Sequence, residues 1–322
     1  MNLIYLAKPI YGGWVTLTAH LSLKFNYPIF KLTKRTERNT RDFGYNCKYQ
    51  NLSVNDIVKL PNILICAVDK SYWEYLHLFP KDTSIIIHDP TELKVNKKSP
   101  NPLIQGDQLI SKFKVITIRE TVQKYILSNY NVLCEYKLHP FYKYSNDASP
   151  SMDNFAVSIS RIDFDKNIDI ILMANRDLPD KFRIKILGAE NRIYVHHKLS
   201  ELEFHKYWLG KYKKQLPIKY NQNGIDLNIL DNCKYVIDLS TINNDGGGTQ
   251  YTFLDAIYNN CILILNNNWI NKGSLFISGY NCYGVSNSDE LIHILTNSTE
   301  IENNKIRNNA KLLLDKHTLV EW

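Results

Sequence analysis

Cysteine motifs are missing from this sequence. Its six cysteines (Cys47, Cys66, Cys134, Cys233, Cys261 and Cys282) form no CxxC and no Cys/His ligand spacing, which argues against a zinc site or a dithiol redox centre. Cys66 and Cys261 lie in apolar strand-like stretches, where a thiol acts as a small hydrophobe, so reduced, cytosol-type thiols are expected. No apolar run approaches the roughly 18 residues that span a bilayer. The opening Met-Asn-Leu-Ile-Tyr-Leu-Ala has no basic start and reads as a first strand, so no signal peptide, no membrane partner and a cytoplasmic location are expected. Internal repeats, low-complexity tracts and a GxGxxG fingerprint are also absent.

What is present is a globular composition. At 322 residues, with 44% hydrophobic and 22% charged residues, the chain suits two domains of ordinary size. Its net charge of +7 and pI near 8.9 modestly favour an anionic ligand or a polyanionic partner. The frequent Tyr, Asn, Ile and Lys are read as AT-rich coding.

Short apolar runs alternate with helical patterns throughout. The first half offers strands at Leu3–Ala7, Tyr27–Leu32, Ile63–Val68, Ser84–His88, Lys114–Ile118 and Val132–Lys137. The second half offers Phe155–Ser160, Arg183–Leu187, Arg192–His196, Tyr235–Leu239, Cys261–Leu265 and Asn281–Val285. Helical periodicity appears at Trp14–Lys24, Thr121–Ser128 and Asn167–Ala174, and one or two amphipathic helices close the chain over Glu300–Leu319. Alternating β and α predicts parallel sheets covered on both faces. The turn-rich stretch Tyr144–Asp153 is the best linker. It divides the chain into an α/β domain over 1–147 and a second over 148–322, both Rossmann-like, with a cleft expected between them.

The most informative segment is Asp245-Gly-Gly-Gly-Thr-Gln-Tyr-Thr-Phe-Leu-Asp255-Ala, followed by the apolar Cys261–Leu265. Consecutive glycines leave amides bare, and a helix over Thr252–Tyr258 points its positive end at them, a cradle for phosphate. Asp255 can take the hydroxyls of a ribose. Gly12-Gly13 sits at the first strand-to-helix turn, either a close approach for a ligand or an ordinary turn. Ser84–Ile87 delivers His88-Asp89-Pro90 to a sheet edge, where Asp89 can act as a base, stabilise a cationic transition state, or merely cap a turn. Arg161 and Lys166, five residues apart after a strand, can neutralise a diphosphate, or belong to a solvated loop. Asp163 and Asp165 form a D-x-D, yet its flanking cations argue against a metal. Gly188 ends another strand, where a glycine suits either the close approach of a donor or an ordinary turn. Two basic stretches suit a phosphate backbone: Lys31 to Lys48, with Lys34, Arg35, Arg38 and Arg41, and His205 to Lys214, where cations alternate with aromatics.

At these residues the chain resembles the GT-B glycosyltransferases. Gly12-Gly13 stands where they carry a Gly-Gly loop. Arg161 and Lys166 stand for their Gly-Arg-x-x-x-x-Lys-Gly segment, and Gly247-Gly-Thr-Gln-Tyr-Thr-Phe-Leu-Asp255-Ala for their Glu-Gly-Phe-Gly…Glu-Ala. The first Glu of that pair aligns with Gly247, and Asp255 replaces the second. The resemblance implies a GT-B fold and a nucleotide-sugar donor, UDP-linked. It places Arg161 and Lys166 on the diphosphate and Asp255 on the ribose, with Gly247, Gly248, Thr249 and Gln250 close by. Retention of configuration and no metal or other cofactor are implied as well. His88-Asp89 and Tyr251-Thr-Phe-Leu-Asp255 are further similar to one branch, the DNA α-glucosyltransferases of T-even phages. That branch implies a hydroxymethylated base in duplex DNA as acceptor and a viral origin. A glycan, lipid or protein hydroxyl is the rival acceptor, and a decayed nucleic-acid-binding relative is the rival of another class.

Overall fold

The computed structural model describes residues 1–7, 12–32, 47–69, 71–93, 110–143, 156–210, 213–215, 219–222, 225–227, 229–230, 233–241, 248–272 and 275–322. The chain divides into two compact units. The first comprises Met1–Lys143 with His317–Trp322, and the second Tyr144–Lys316.

The first unit holds seven strands: β1 (Asn2–Leu6), β2 (Ile29–Leu32), β3 (Tyr49–Leu52), β4 (Ile63–Val68), β5 (Ser84–Ile87), β6 (Lys114–Thr117) and β7 (Cys134–Tyr136). They lie in the order β3-β2-β1-β4-β5-β6-β7, every pair parallel. Ile63-Leu-Ile-Cys-Ala-Val68 is buried at every position, as expected of a strand covered on both faces. Helix α1 (Gly13–Phe25) follows β1 and ends on Asn26 in the left-handed conformation, φ 55°. Helix α2 (Glu120–Tyr130) follows β6 and ends the same way on Asn131. The last residues of the chain return to this unit. Phe141 N–H donates to the His317 carbonyl at 3.0 Å, and the Trp322 indole donates to the Leu138 carbonyl at 3.1 Å.

The second unit has a six-stranded parallel sheet. Its strands are β8 (Ala156–Ile159), β9 (Ile184–Leu187), β10 (Trp208–Gly210), β14 (Tyr235–Asp238), β15 (Ile262–Asn266) and β16 (Tyr283–Val285), in the order β10-β9-β8-β14-β15-β16. A small antiparallel sheet of β11 (Lys213–Gln215), β12 (Lys219–Gln222) and β13 (Ile225–Leu227) intervenes in sequence. Helices α3 (Ile168–Asp177), α4 (Tyr251–Tyr258), α5 (Ser288–Asn297) and α6 (Glu300–Leu319) are the main described helices in this half. Within its own sheet, each unit follows the doubly wound order 3-2-1-4-5-6, with the first unit adding one strand. The chain reverses direction across the sheet beside β1 and β8, and ligands of such folds bind at that reversal.

One expectation fails locally. Arg192–His196 is not a strand: 192–194 is α-helical and 195–199 is a π-helical turn. Asn191 sets this by capping the amides of Ile193 and Tyr194. The closing segment is one continuous helix, α6. No helix among the described residues is long and apolar enough to cross a membrane.

Candidate functional site

In the second unit the reversal lies between β8 and β14, and the loops leaving these strands are tied together. Asp165 carbonyl accepts Thr241 N–H at 2.9 Å. The Asn167 amide donates to the Leu239 carbonyl at 2.7 Å and to the Thr241 hydroxyl at 3.0 Å. Lys166 is buried, and its Nζ donates to Ser240 Oγ at 2.6 Å. Ser240 in turn bonds the Asp238 carboxylate through both its hydroxyl and its amide. A Lys166–Ser240–Asp238 chain of buried polar groups therefore locks the β8 loop to the β14 loop. Sequence reading singled out Lys166 alone; Asp238-Leu-Ser240 looked like an ordinary strand end.

Arg161 projects from the same loop and is 65% exposed. Its guanidinium pairs with Asp163 at 3.1 Å and with Asp165 at 3.4 Å. Both carboxylates of the D-x-D thus face a cation of the chain. Among the described residues no group of three His, Cys, Asp or Glu side chains is placed to hold a metal ion.

The β14 loop runs on into residues 242–247, which lie outside the described residues and include the predicted Gly247. Gly248 has φ 87°, in the left-handed region, and its carbonyl accepts the Trp269 indole N–H at 3.1 Å. Thr249 is buried, and Gln250 caps α4 with its main chain only, accepting Phe253 N–H at 3.0 Å. Asp255 lies one turn into α4 and is fully buried.

Gly188 has a defined packing duty. A Cβ built there would lie 1.6 Å from the Ser160 carbonyl oxygen. Its N–H donates to the Gly210 carbonyl at 2.8 Å, and its carbonyl accepts the Trp208 indole at 3.0 Å. In the basic-aromatic stretch after it, the two described aromatics are packed, while His205 and Lys206 are exposed. Tyr207 is buried, and Trp208 stacks on Phe204 with centroids 5.4 Å apart.

In the first unit Gly12 and Gly13 are exposed at the head of α1. Gly12 has φ 91°, and a Cβ at either position would meet nothing within 4 Å. Only Gly12 therefore needs glycine for its backbone. His88 and Asp89 follow β5 at the same sheet edge. The buried His88 ring bonds the Cys66 carbonyl through Nε2 at 2.7 Å. Burial, opposed by that bond, pulls its pKa down to about 4, with the Arg119 charge adding to the fall, so the imidazole is neutral and Nε2 carries its proton.

Sequence reading missed Glu92. Its Oε2 accepts His88 N–H at 3.0 Å and its Oε1 accepts the Trp14 indole N–H at 3.0 Å. Loss of solvent pushes the carboxyl up to about 8, and Asp89 acts in the same direction. Its two N–H donors and Arg119 act against it. Asp89-Pro-Thr-Glu92 is a capping-box spacing with Pro at the first helical position, so a signal was present.

Lys34, Arg35, Arg38 and Arg41 lie outside the described residues. Lys31, which opens that basic run, is not on a loop surface. It is fully buried in β2.

No protein-family model matches the chain, and a search of curated proteins finds no match. Solved structures do match. HepE (Alr3699) of Anabaena in complex with UDP superposes with a TM-score of 0.67 at 13% identity, over 99% of this chain and 96% of that one. An α-glucosyltransferase (AGT) in complex with UDP gives 0.64 at 13% identity, over 98% and 95%. The lipopolysaccharide outer core galactosyltransferase WaaB gives 0.56 at 12% identity, over 98% and 97%. At these identities the likeness is one of fold, and that fold is GT-B, with two parallel-sheet α/β domains.

Proposed function

We propose that this chain is a glycosyltransferase that moves a sugar from a UDP-linked donor to an acceptor hydroxyl. One observation carries the reading: the β8 and β14 loops are locked together at the strand reversal of the second unit, with an exposed guanidinium on them. A diphosphate needs such a fork of donors, and offsetting its charge as the bond to the sugar breaks is an electrostatic contribution of several kcal/mol. In this reading Arg161 exchanges Asp163 and Asp165 for diphosphate oxygens, while Lys166 holds the loop from below. The amides of Gly247, Gly248, Thr249 and Gln250 meet the same phosphates, with Gly188 bordering the pocket. Asp255 is assigned to the ribose, which must reach it through the glycine loop. In the first unit Gly12 and Gly13 admit the donor to the backbone, and His88 and Asp89 line the reacting centre. No metal is assigned a role, because the D-x-D carboxylates already face Arg161.

The acceptor assigned is a hydroxymethylated base in duplex DNA, in a viral setting. The net charge of +7, the basic run through Lys34, Arg35, Arg38 and Arg41, and the resemblance at His88-Asp89 support it. A glycan, lipid or protein hydroxyl is the second reading, favoured by the burial of Lys31 and Tyr207, which removes cationic and stacking groups from the surface. Ionic strength separates the two, since an acceptor held by several phosphates loses affinity steeply as salt rises.

The reading is tested by incubating the protein with a panel of UDP-sugars and measuring UDP released. Slow hydrolysis of at least one is expected, reduced by about one to three orders of magnitude in Arg161→Ala. No release from any donor would favour a decayed nucleic-acid-binding relative instead.

A further inference from the structure

Glu92 joins two parts of the first unit that the chain separates by 78 residues. On one side is the turn that carries His88 and Asp89. Glu92 closes it twice, because its own N–H donates to the Asp89 carbonyl at 3.1 Å and its carboxyl accepts the His88 amide. On the other side is Trp14, second residue of α1, directly after the exposed Gly12-Gly13 turn. The Trp14 ring lies 6.2 Å from the His88 imidazole, tilted by 56°. A cap that only terminated its own turn would not need the indole. Here one carboxyl spends one oxygen on each side, so neither can shift without losing a hydrogen bond.

We propose that Glu92 is a positioning residue. By holding the His88 amide and the Trp14 indole on one carboxyl, it fixes Asp89 relative to the Gly12-Gly13 turn for glycosyl transfer. This role rests on the transferase reading above. The charged and titratable groups around it are Asp89 and His88 on its own turn and Arg119 at the N-cap of α2. The raised affinity of the carboxyl for its proton follows from the same enclosure. Displacements of about 1 Å at a reacting centre cost on the order of 100-fold in rate, which is the scale at stake.

Glu92→Gln keeps the size of the side chain but turns one acceptor into a donor, opposing either the amide or the indole. The test uses the full chain and UDP-glucose, following turnover together with tryptophan emission across pH. The expected result is a turnover rate lowered about 10- to 100-fold in Glu92→Gln with little change in KM for UDP-glucose. Wild-type emission should also show a transition near pH 8 that is lost in both Glu92→Gln and Trp14→Phe. A Glu92→Gln protein that turns over like wild type, or a wild type with no alkaline emission change, overturns the inference alone. A wild type that consumes no UDP-glucose, UDP-galactose or UDP-N-acetylglucosamine overturns the transferase reading and this role with it.

Discussion

Lys166 Nζ lies 2.6 Å from Ser240 Oγ, and that serine also bonds Asp238, so a cation and a carboxylate are buried around one hydroxyl. Asp238 ends β14 and Ser240 follows it, while Lys166 comes from the loop after the neighbouring parallel strand β8. They set the loop from which Arg161 projects.

Removing one charge from this chain leaves the other buried without its counterpart. Lys166→Met and Asp238→Asn should each destabilise the protein by about 3 to 5 kcal/mol. The double variant should cost less than the sum, because the two act through Ser240. Urea denaturation of the two single variants and the double variant measures this. Simple additivity would mean that Lys166 and Asp238 do not act as a unit.

The two conspicuous glycine positions should respond oppositely to alanine. Gly188→Ala drives a Cβ into the Ser160 carbonyl and should cost on the order of 2 kcal/mol or more. Gly13→Ala opens onto free space and should leave stability within about 0.5 kcal/mol. In the transferase reading it still weakens donor turnover, by filling the approach to α1. Thermal unfolding alongside UDP release separates the two effects.

The half-buried Glu92 and the buried His88 predict opposite pH limbs. The folded pKa of Glu92 is raised to about 8, so the folded state holds more protons than the unfolded chain between about 4.5 and 8. Stability from this group is complete at the acid end of that window and falls as pH rises, by on the order of 2 to 4 kcal/mol. Glu92→Gln should flatten the alkaline fall. His88 is depressed to about 4, so its contribution is present above about 6.5 and is lost as pH drops toward 4. His88→Gln should make the acid limb shallower. Chemical denaturation at a series of pH values reads both, and unchanged limbs would contradict the burial argument.

The sheets were legible in the sequence because their central strands are continuous apolar runs, as Ile63–Val68 and Cys261–Leu265 illustrate. Arg192–His196 misled because its alternation of Ile193, Val195 and polar residues imitates a strand, while the deciding group, the Asn191 cap, lies just outside it. The abundant Asn seemed uninformative, yet Asn26, Asn62, Asn131, Asn167 and Asn260 all adopt positive φ. They end or begin elements where other chains use glycine. Arg161 and Lys166 were legible by spacing. Their division of labour was not, because it depends on Ser240 and Asp238, about 75 residues away in sequence and adjacent only through strand pairing. Glu92 was legible as a cap from its local spacing, but its bond to Trp14, 78 residues away, was hidden in the same way.

The central claim is that the second unit holds a nucleoside diphosphate through Arg161. The direct measurement is the thermal shift of wild type and Arg161→Ala with UDP. At about 100 times its Kd, UDP should stabilise wild type by roughly 2.7 kcal/mol. At the same concentration, Arg161→Ala should show little or no shift. Equal shifts in both proteins, or none in either, would contradict the account.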